Sequence, residues 1–273
     1  MVERAPGAGD FLALTRKISV ERGFGCASYK EKCLQRRIAV RMRARGVNTY
    51  GEYSRVLDSD ASEYERLLDV LTINVTKLFR NWDAYRAIAT HVVPTLWSAP
   101  LSTIRVWSAG CSSGHEPYSL AILFHHHAQQ RRELSRLNRV DVLGTDIDRR
   151  SLIAARHGQF SEPDFADTPD DLRARYFSAT PPFTVSPAVR MMVRFENRDL
   201  LTGPAPRGSL HLIACRNVLI YFDRDTQIRL FNAFHDALAP GGFLVLGKVE
   251  TVLGPSRAKF AAVDARERVF RRK

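Results

Sequence analysis

Cysteine is scarce in this sequence and none of it is paired. Cys26, Cys33, Cys111 and Cys215 are the only four, with no C-x-x-C spacing among them. That argues against a zinc ribbon and against a disulfide framework, and favours reduced thiols in a reducing compartment. Long apolar runs are also missing: no stretch approaches the ~20 residues that span a bilayer, so membrane insertion is not expected. Met1 to Asp10 lacks the basic, then apolar, then small-residue order of a secretory signal, and a cytoplasmic location is the expectation. The run His125-His126-His127 does not make a metal site on a helix, where adjacent side chains point about 100° apart. No metal is expected.

Acidic residues are outnumbered by basic ones. Against 41 Lys and Arg stand 29 Asp and Glu, a net charge of +12. A basic protein seeks an acidic partner, whether nucleic acid, anionic membrane or an acidic protein surface. Composition does not choose among them. The 45% hydrophobic and 26% charged shares are those of a soluble globular protein, and 273 residues suffice for one large domain or two smaller ones.

Apolar spacing divides the chain. Up to about Trp82 it is helical throughout: Phe11, Leu12, Leu14 and Ile18 mark one helix, Tyr29 to Arg45 a second ended by Gly46, Asn48 caps a third through Tyr53 and Leu57, and a fourth runs from about Ser62 through Leu71. Residues 1–82 are therefore expected to form a helical N-terminal domain. From 83 to 273 strands alternate with helices. Ile104 to Ser108, Val140 to Thr145, Leu210 to Cys215 and Phe243 to Leu246 read as strands, with helices over Tyr118 to Gln130, from Leu152, and through Leu230 and Phe234. Such alternation predicts an α/β fold with a doubly wound parallel sheet. Between about 160 and 197 five prolines and the β-type pieces Tyr176-Phe177, Phe183 to Val185 and Met191 to Phe195 break the beat, and a small antiparallel β insertion is expected there.

The first strand runs into Ala109-Gly110-Cys111-Ser112-Ser113-Gly114-His115-Glu116. Glycines between a strand and a helix let backbone approach a ligand at the strand's C-terminal edge, although a plain turn would use them too. Neither the G-x-G-x-x-G fingerprint nor the phosphate-gripping loop is present. Asp146 stands at the tip of the second strand, placed either to accept hydrogen bonds from ribose hydroxyls or to cap the next helix. Together the two features favour an adenosine-containing cofactor.

Three long strings go further: Leu71 to Arg80 (LTINVTKLFR), Val106 to Ser119 (VWSAGCSSGHEPYS) and Cys215 to Asp223 (CRNVLIYFD). They closely resemble the chemotaxis-receptor glutamate methyltransferases, the CheR family, and the resemblance extends from roughly residue 10 to the C-terminus. It implies a Rossmann-like class I methyltransferase sheet, S-adenosylmethionine as cofactor and S-adenosylhomocysteine as product. It further implies cofactor contacts from Asn74, Thr76, Arg80, Gly110, Glu116, Asp146, Asp199, Leu200, Arg216 and Asn217. This chain departs from the family's usual residues at His115, where Glu is common, and at Asp199, where Asn is common. The extra negative charge of Asp199 lies near a cationic sulfonium and can alter affinity.

A glutamate carboxylate, with a pKa of ~4.3, is ionised at neutral pH and needs no general base to attack a methyl group. The enzyme must align it and exclude water. Arg80 and Tyr221 are the expected catalytic pair, Arg80 binding the carboxylate and Tyr221 donating a hydrogen bond or packing over the methyl; the alternative is an interdomain salt bridge and a core tyrosine. Between Ser28 and Arg45 lie seven basic residues against one acid, Glu31. Leu34, Ile38 and Met42 form a narrow buried stripe there, which is expected to leave the basic side chains exposed. Such a face is often merely solvated. In the family the receptor methylation regions are acidic helices, so the face also suits steering, with Arg37 and Arg43 at matching docking positions and Val40 where a third base is usual. The expected partner is a chemotaxis receptor's acidic helical bundle, met by a monomer. A nucleic-acid methyltransferase is the first rival, disfavoured by the absence of an Asp/Asn-Pro-Pro-Tyr string at Arg216 to Leu219; a non-catalytic binding module is the second.

Overall fold

Whether a segment's apolar residues recur every three to four positions or run together decides its element here. The computed structural model describes residues 8–72, 76–206 and 208–273. Two compact units emerge, Met1–Ile73 with Tyr221–Thr226, and Asn74–Ile220 with Gln227–Lys273.

The first unit is built on helices α1 (Ala8–Arg22), α2 (Glu31–Ala44), α3 (Tyr50–Ser59) and α4 (Ala61–Leu71). Ile18, Ile38, Tyr53 and Leu67 are fully buried at its centre. The cap of α3 is Thr49 rather than Asn48: Thr49 accepts the Glu52 N–H, and Glu52 in turn accepts the N–H groups of Thr49 and Asn48, a reciprocal box that an Asn one residue earlier has no reach to make. Beneath this layer Glu63, wholly buried, accepts two hydrogen bonds from Arg41, at 2.9 and 2.7 Å, and one from Tyr53 Oη at 2.8 Å.

The expectation that α2 leaves all its basic residues in solvent is corrected. Leu34, Ile38 and Met42 are buried, but so is Arg37, at 6% exposure. Its Nη1 donates to the carbonyls of Val70 and Leu71, at 3.1 and 2.5 Å, and its guanidinium lies 4.9 Å from the centre of the Tyr221 ring. The reason is geometric. Positions 34, 37, 38, 41 and 42 follow i, i+3, i+4, i+7, i+8, the full width of a helix's inward stripe; a four-residue count alone misses 37 and 41. Arg37 is therefore not an exposed docking residue. Lys32, Arg36 and Arg43 are exposed.

The second unit opens with α5 (Trp82–Ala87) and α6 (Val93–Ser98), then β1 (Ile104–Ala109), α7 (His115–Gln130), β2 (Val140–Asp146) and α8 (Arg149–His157). After them come β3 (Gln159–Phe160), α9 (Asp170–Tyr176), β4 (Phe183–Thr184), α10 (Pro187–Arg190) and β5 (Val193–Asn197). It closes with β6 (Leu210–Cys215), α11 (Arg224–Ala237), β7 (Leu238–Leu246), β8 (Phe260–Asp264) and β9 (Val269–Arg272). Of α11, the first three residues group with the helical unit. A seven-stranded sheet has the order β5-β2-β1-β6-β7-β9-β8, parallel from β5 to β7 and antiparallel beyond. All six residues of β6 are buried, as expected of a central parallel strand covered on both faces.

The insertion is smaller than its sequence suggests. Only β3 and β4, with a bridge between Phe177 and Val185, make an antiparallel pair. Val193–Asn197 instead pairs parallel to β2 as the edge of the main sheet; its short β-type run carries nothing that tells a parallel edge from a hairpin arm. Tyr176 ends α9 rather than lying in a strand.

Candidate functional site

In a parallel sheet the strand order reverses between neighbours whose connections run to opposite sides, and ligands sit at the carboxyl ends there. Here that place lies between β1, followed by the connection to β2, and β6, followed by the connection to β7. The register brings Ala109 beside Thr145, and Cys215 beside Leu246, so the loops after β1, β2, β6 and β7 share one edge.

The loop after β1 is tightly specified. Gly110 has φ +80°, and a Cβ on it would lie 2.6 Å from Val218 Cγ2, so no larger residue fits. The N–H groups of Gly110 and Cys111 both donate to the Thr145 carbonyl, at 2.8 and 2.9 Å. Ser112, at φ +47°, donates its N–H to Asp146 Oδ2 at 2.7 Å, while Asp148 N–H reaches Oδ1 at 2.9 Å. Asp146 thus ties loop and strand tip together, and burial holds its pKa above the usual carboxylate range despite these donors. The cap of α8 is Asp148, which accepts from Arg150 N–H.

The helix α7 begins at His115, three residues earlier than expected, because left-handed Gly114 serves as its N-cap. Glu116 consequently sits in its first turn, buried, accepting from Ser108 Oγ at 2.8 Å. Burial pushes its pKa up to about 7, opposed by Arg216, whose Nη1 lies 3.9 Å from Glu116 Oε2. Arg216 is itself buried, stacks 4.9 Å from the Tyr85 ring centre, and donates to the Arg80 carbonyl at 2.8 Å. Asn217 is held at φ +61°.

What holds it is Glu250, a residue that sequence reasoning missed. Its Oε2 accepts the N–H groups of Asn217 and Gly247, at 2.9 and 2.6 Å, and its Oε1 that of Ile220 at 3.2 Å. Burial raises its pKa. No motif flags a lone Glu four residues after a strand; its only signal is that it follows Leu246-Gly247 at the edge where the other loops end.

The segment that carries Arg80 is pinned. Phe79 and Asn81, flanking it, have φ of +50° and +60°, conformations that cost roughly 1–3 kcal/mol each in a non-glycine residue. Arg80 and Thr76 are half-buried. Asn74 lies outside the described residues. Asp199 and Leu200 follow β5, next to the end of β2 through Arg198 N–H to Asp146 O at 2.9 Å. The Asp199 carboxylate serves its own turn, accepting Leu201 N–H at 2.8 Å and Thr202 Oγ1–H at 2.9 Å. The edge of the second unit therefore gathers Arg80, Gly110, Glu116, Asp146, Arg216 and Asn217, with Asp199 and Leu200 on the adjoining loop. Tyr221, Arg37 and Arg43 belong to the helical unit.

These residues suit a cationic nucleoside. Two buried carboxylates with raised pKa, Glu116 and Glu250, lie on the loops of one sheet edge, and a bound cation stabilises such groups in their charged form. Among the described residues no group of three or more His, Cys, Asp or Glu could hold a metal, and no helix is long and apolar enough to cross a membrane.

Comparison with known proteins agrees. Residues 9–72 match the family profile described as "CheR methyltransferase, all-alpha domain", and residues 74–269 that described as "CheR methyltransferase, SAM binding domain". The chain is 33% identical over 256 residues to a chemotaxis protein methyltransferase of Listeria innocua, covering 93% of this chain and 95% of the relative. It is 30% identical over 248 residues to one of Borreliella burgdorferi, covering 87% and 86%. Among solved structures, a TehB-like SAM-dependent methyltransferase of Corynebacterium glutamicum aligns with 71% of this chain and 95% of its own, at 18% identity and a TM-score of 0.37. With both units matched in sequence, the chain belongs to the CheR family of S-adenosylmethionine-dependent chemotaxis protein methyltransferases.

Proposed function

We propose that this protein, in the cytoplasm, transfers the methyl group of S-adenosylmethionine to glutamate side chains of chemotaxis receptors, leaving glutamyl methyl esters and S-adenosylhomocysteine. The observation that carries the reading is the convergence of Gly110, Glu116, Asp146, Arg216 and Asn217 at one sheet edge with no base required beside them. The cofactor supplies an electrophilic methyl on a sulfonium. Asp146, with both carboxylate oxygens already organised by backbone N–H groups, offers its remaining lone pairs to ribose hydroxyls. Glu116 offers a buried negative charge to the cofactor's ammonium group. Asn74, Thr76 and Arg80 supply further contacts to it, and Asp199, Leu200 and Asn217 complete the set.

For the acceptor, Arg80 binds one carboxylate oxygen pair and Tyr221 steadies it. Arg37, stacked on the Tyr221 ring from within the helical unit, fixes where that ring points. Arg43, exposed on α2 together with Lys32 and Arg36, meets the acidic receptor helices. The test is incubation with methyl-labelled cofactor and a receptor-containing membrane fraction. Label released by mild alkali as methanol is expected, because glutamyl methyl esters hydrolyse there. Alkali-stable label, or label transferred to RNA or DNA in a filter assay, would overturn the reading.

A further inference from the structure

Arg80 sits between two left-handed residues, and left-handed backbone at bulky side chains persists only where the surroundings over-determine it. Four hydrogen bonds do so here. Leu78 N–H donates to the Asp164 carbonyl at 3.0 Å, Phe79 N–H to Ser119 Oγ at 2.9 Å and Asn81 N–H to Asp167 Oδ2 at 2.8 Å, while Thr168 Oγ1–H reaches the Leu78 carbonyl at 3.4 Å. Three of the four come from residues 164–168, at the start of the insertion. The placement of Arg80 therefore depends on where that short turn is held.

The turn is held at its own end by Ser161, whose N–H and Oγ both bond Asp164 Oδ2, at 2.7 and 2.8 Å. The other carboxylate oxygen, Oδ1, lies 3.0 Å from His115 Nε2, an ion-pair contact in which the ring nitrogen is not aligned as a hydrogen-bond donor. His115 is the first residue of α7, directly before Glu116, and is only 5% exposed. Its Nδ1 is 3.3 Å from Ser113 Oγ in the glycine loop, and its ring meets the edge of Phe160 at 4.8 Å. One side chain thus touches the cofactor loop on one side and the turn that pins Arg80 on the other. Burial works to raise the Asp164 pKa, but the His115 ring beside it and the Ser161 hydrogen bonds outweigh that and hold it at about 2.

We propose that His115 and Asp164 are a positioning pair, which sets the Arg80 segment in register with the Gly110–Glu116 loop so that both close on the same cofactor molecule. The inference rests on the cofactor contacts proposed above. It requires of position 115 a polar N–H group within reach of Asp164 Oδ1, so residues of similar bulk divide sharply. His115→Gln keeps an N–H donor; His115→Leu keeps packing against Phe160 without one; His115→Glu opposes two carboxylates.

The experiment is titration calorimetry of the full chain with S-adenosylhomocysteine, together with thermal unfolding. His115→Gln is expected to bind within about 2-fold of wild type, and His115→Leu and His115→Glu at least about 10-fold more weakly, the Leu variant with its melting point unchanged. Equal affinity for the Gln and Leu variants, whether both match wild type or both are weak, would overturn the pairing. If the Leu variant does not fold, Asp164→Ala answers the same question, with about a 10-fold loss expected and unchanged affinity overturning the proposal. Wild-type protein that takes up no S-adenosylhomocysteine would instead sink the cofactor site itself, a result distinct from any difference among variants.

Discussion

Glu116 carries its proton balance in the opposite sense from a surface carboxylate. Burial raises its pKa to about 7, so ionising it in the folded protein costs up to about 3 kcal/mol relative to the unfolded chain. Between its ordinary pKa of ~4.5 and about 7 the folded state binds the extra proton, and the protein loses stability as pH rises through that window. A cationic cofactor needs the ionised form. Affinity for S-adenosylmethionine is therefore expected to weaken as pH falls from 8 to 6, with proton release on binding near pH 7. Calorimetry in buffers of different ionisation enthalpy checks it. Glu116→Gln should flatten the pH dependence, weaken binding at pH 8 and leave the free protein as stable or more so. Residue by residue, the loops that meet at the sheet edge were legible where chemistry has a string to carry them: the glycine loop, Glu116, Asp146 and Arg216-Asn217. Glu250 was not, since its role is to accept N–H groups from a loop some thirty residues earlier, and no local spacing encodes such a contact.

Helix α2 is a different case. Its basic residues look alike in sequence yet divide into three environments: Arg37 on the α4 carbonyls and the Tyr221 ring, Arg41 on buried Glu63, and Arg43 in solvent. Substitutions should divide the same way. Glu63→Ala strands the Arg41 charge and is expected to cost about 3–5 kcal/mol in urea unfolding. Arg37→Glu places a carboxylate against two carbonyl oxygens and should destabilise by a similar amount, whereas Arg43→Glu should leave the melting point within a degree or two, on the order of a ~0.5 kcal/mol surface change, and slow receptor methylation. If Arg37→Glu melts like wild type, its burial is not what holds α2 to α4. Helix and strand positions were readable because each buries a periodic stripe; β5 was misjudged because five residues at a sheet edge show no period that separates parallel from antiparallel pairing.

For the whole molecule, the net charge of +12 acts at range. If the receptor's acidic helices are drawn in by that field, raising salt from about 50 to 300 mM shrinks the screening length from roughly 14 to 6 Å and should raise the KM for receptor several-fold while leaving turnover at saturation nearly unchanged. Steady-state methylation at the two salt concentrations decides; a salt-independent KM would assign the positive face to solvation alone. The change from helical spacing to strand-helix alternation made a two-part organisation visible with a boundary at residue 82, whereas the units divide at Ile73/Asn74. Its one exception was not: Tyr221–Thr226 is counted with the helices, although more than a hundred residues of the other unit precede it.

That returning segment limits how the molecule can be dissected. Lys30 N–H bonds the Tyr221 carbonyl at 2.9 Å, Asp223 N–H bonds the Ser28 carbonyl at 3.0 Å, and the Tyr29 and Phe222 rings meet edge-on at 4.9 Å. A fragment cut after residue 72 forfeits a miniature antiparallel ribbon that its own sequence has no means to replace. Truncation would give a bundle with an open flank, not a transplantable module, and a peptide spanning 219–226 supplied in trans should restore part of what the cut removed.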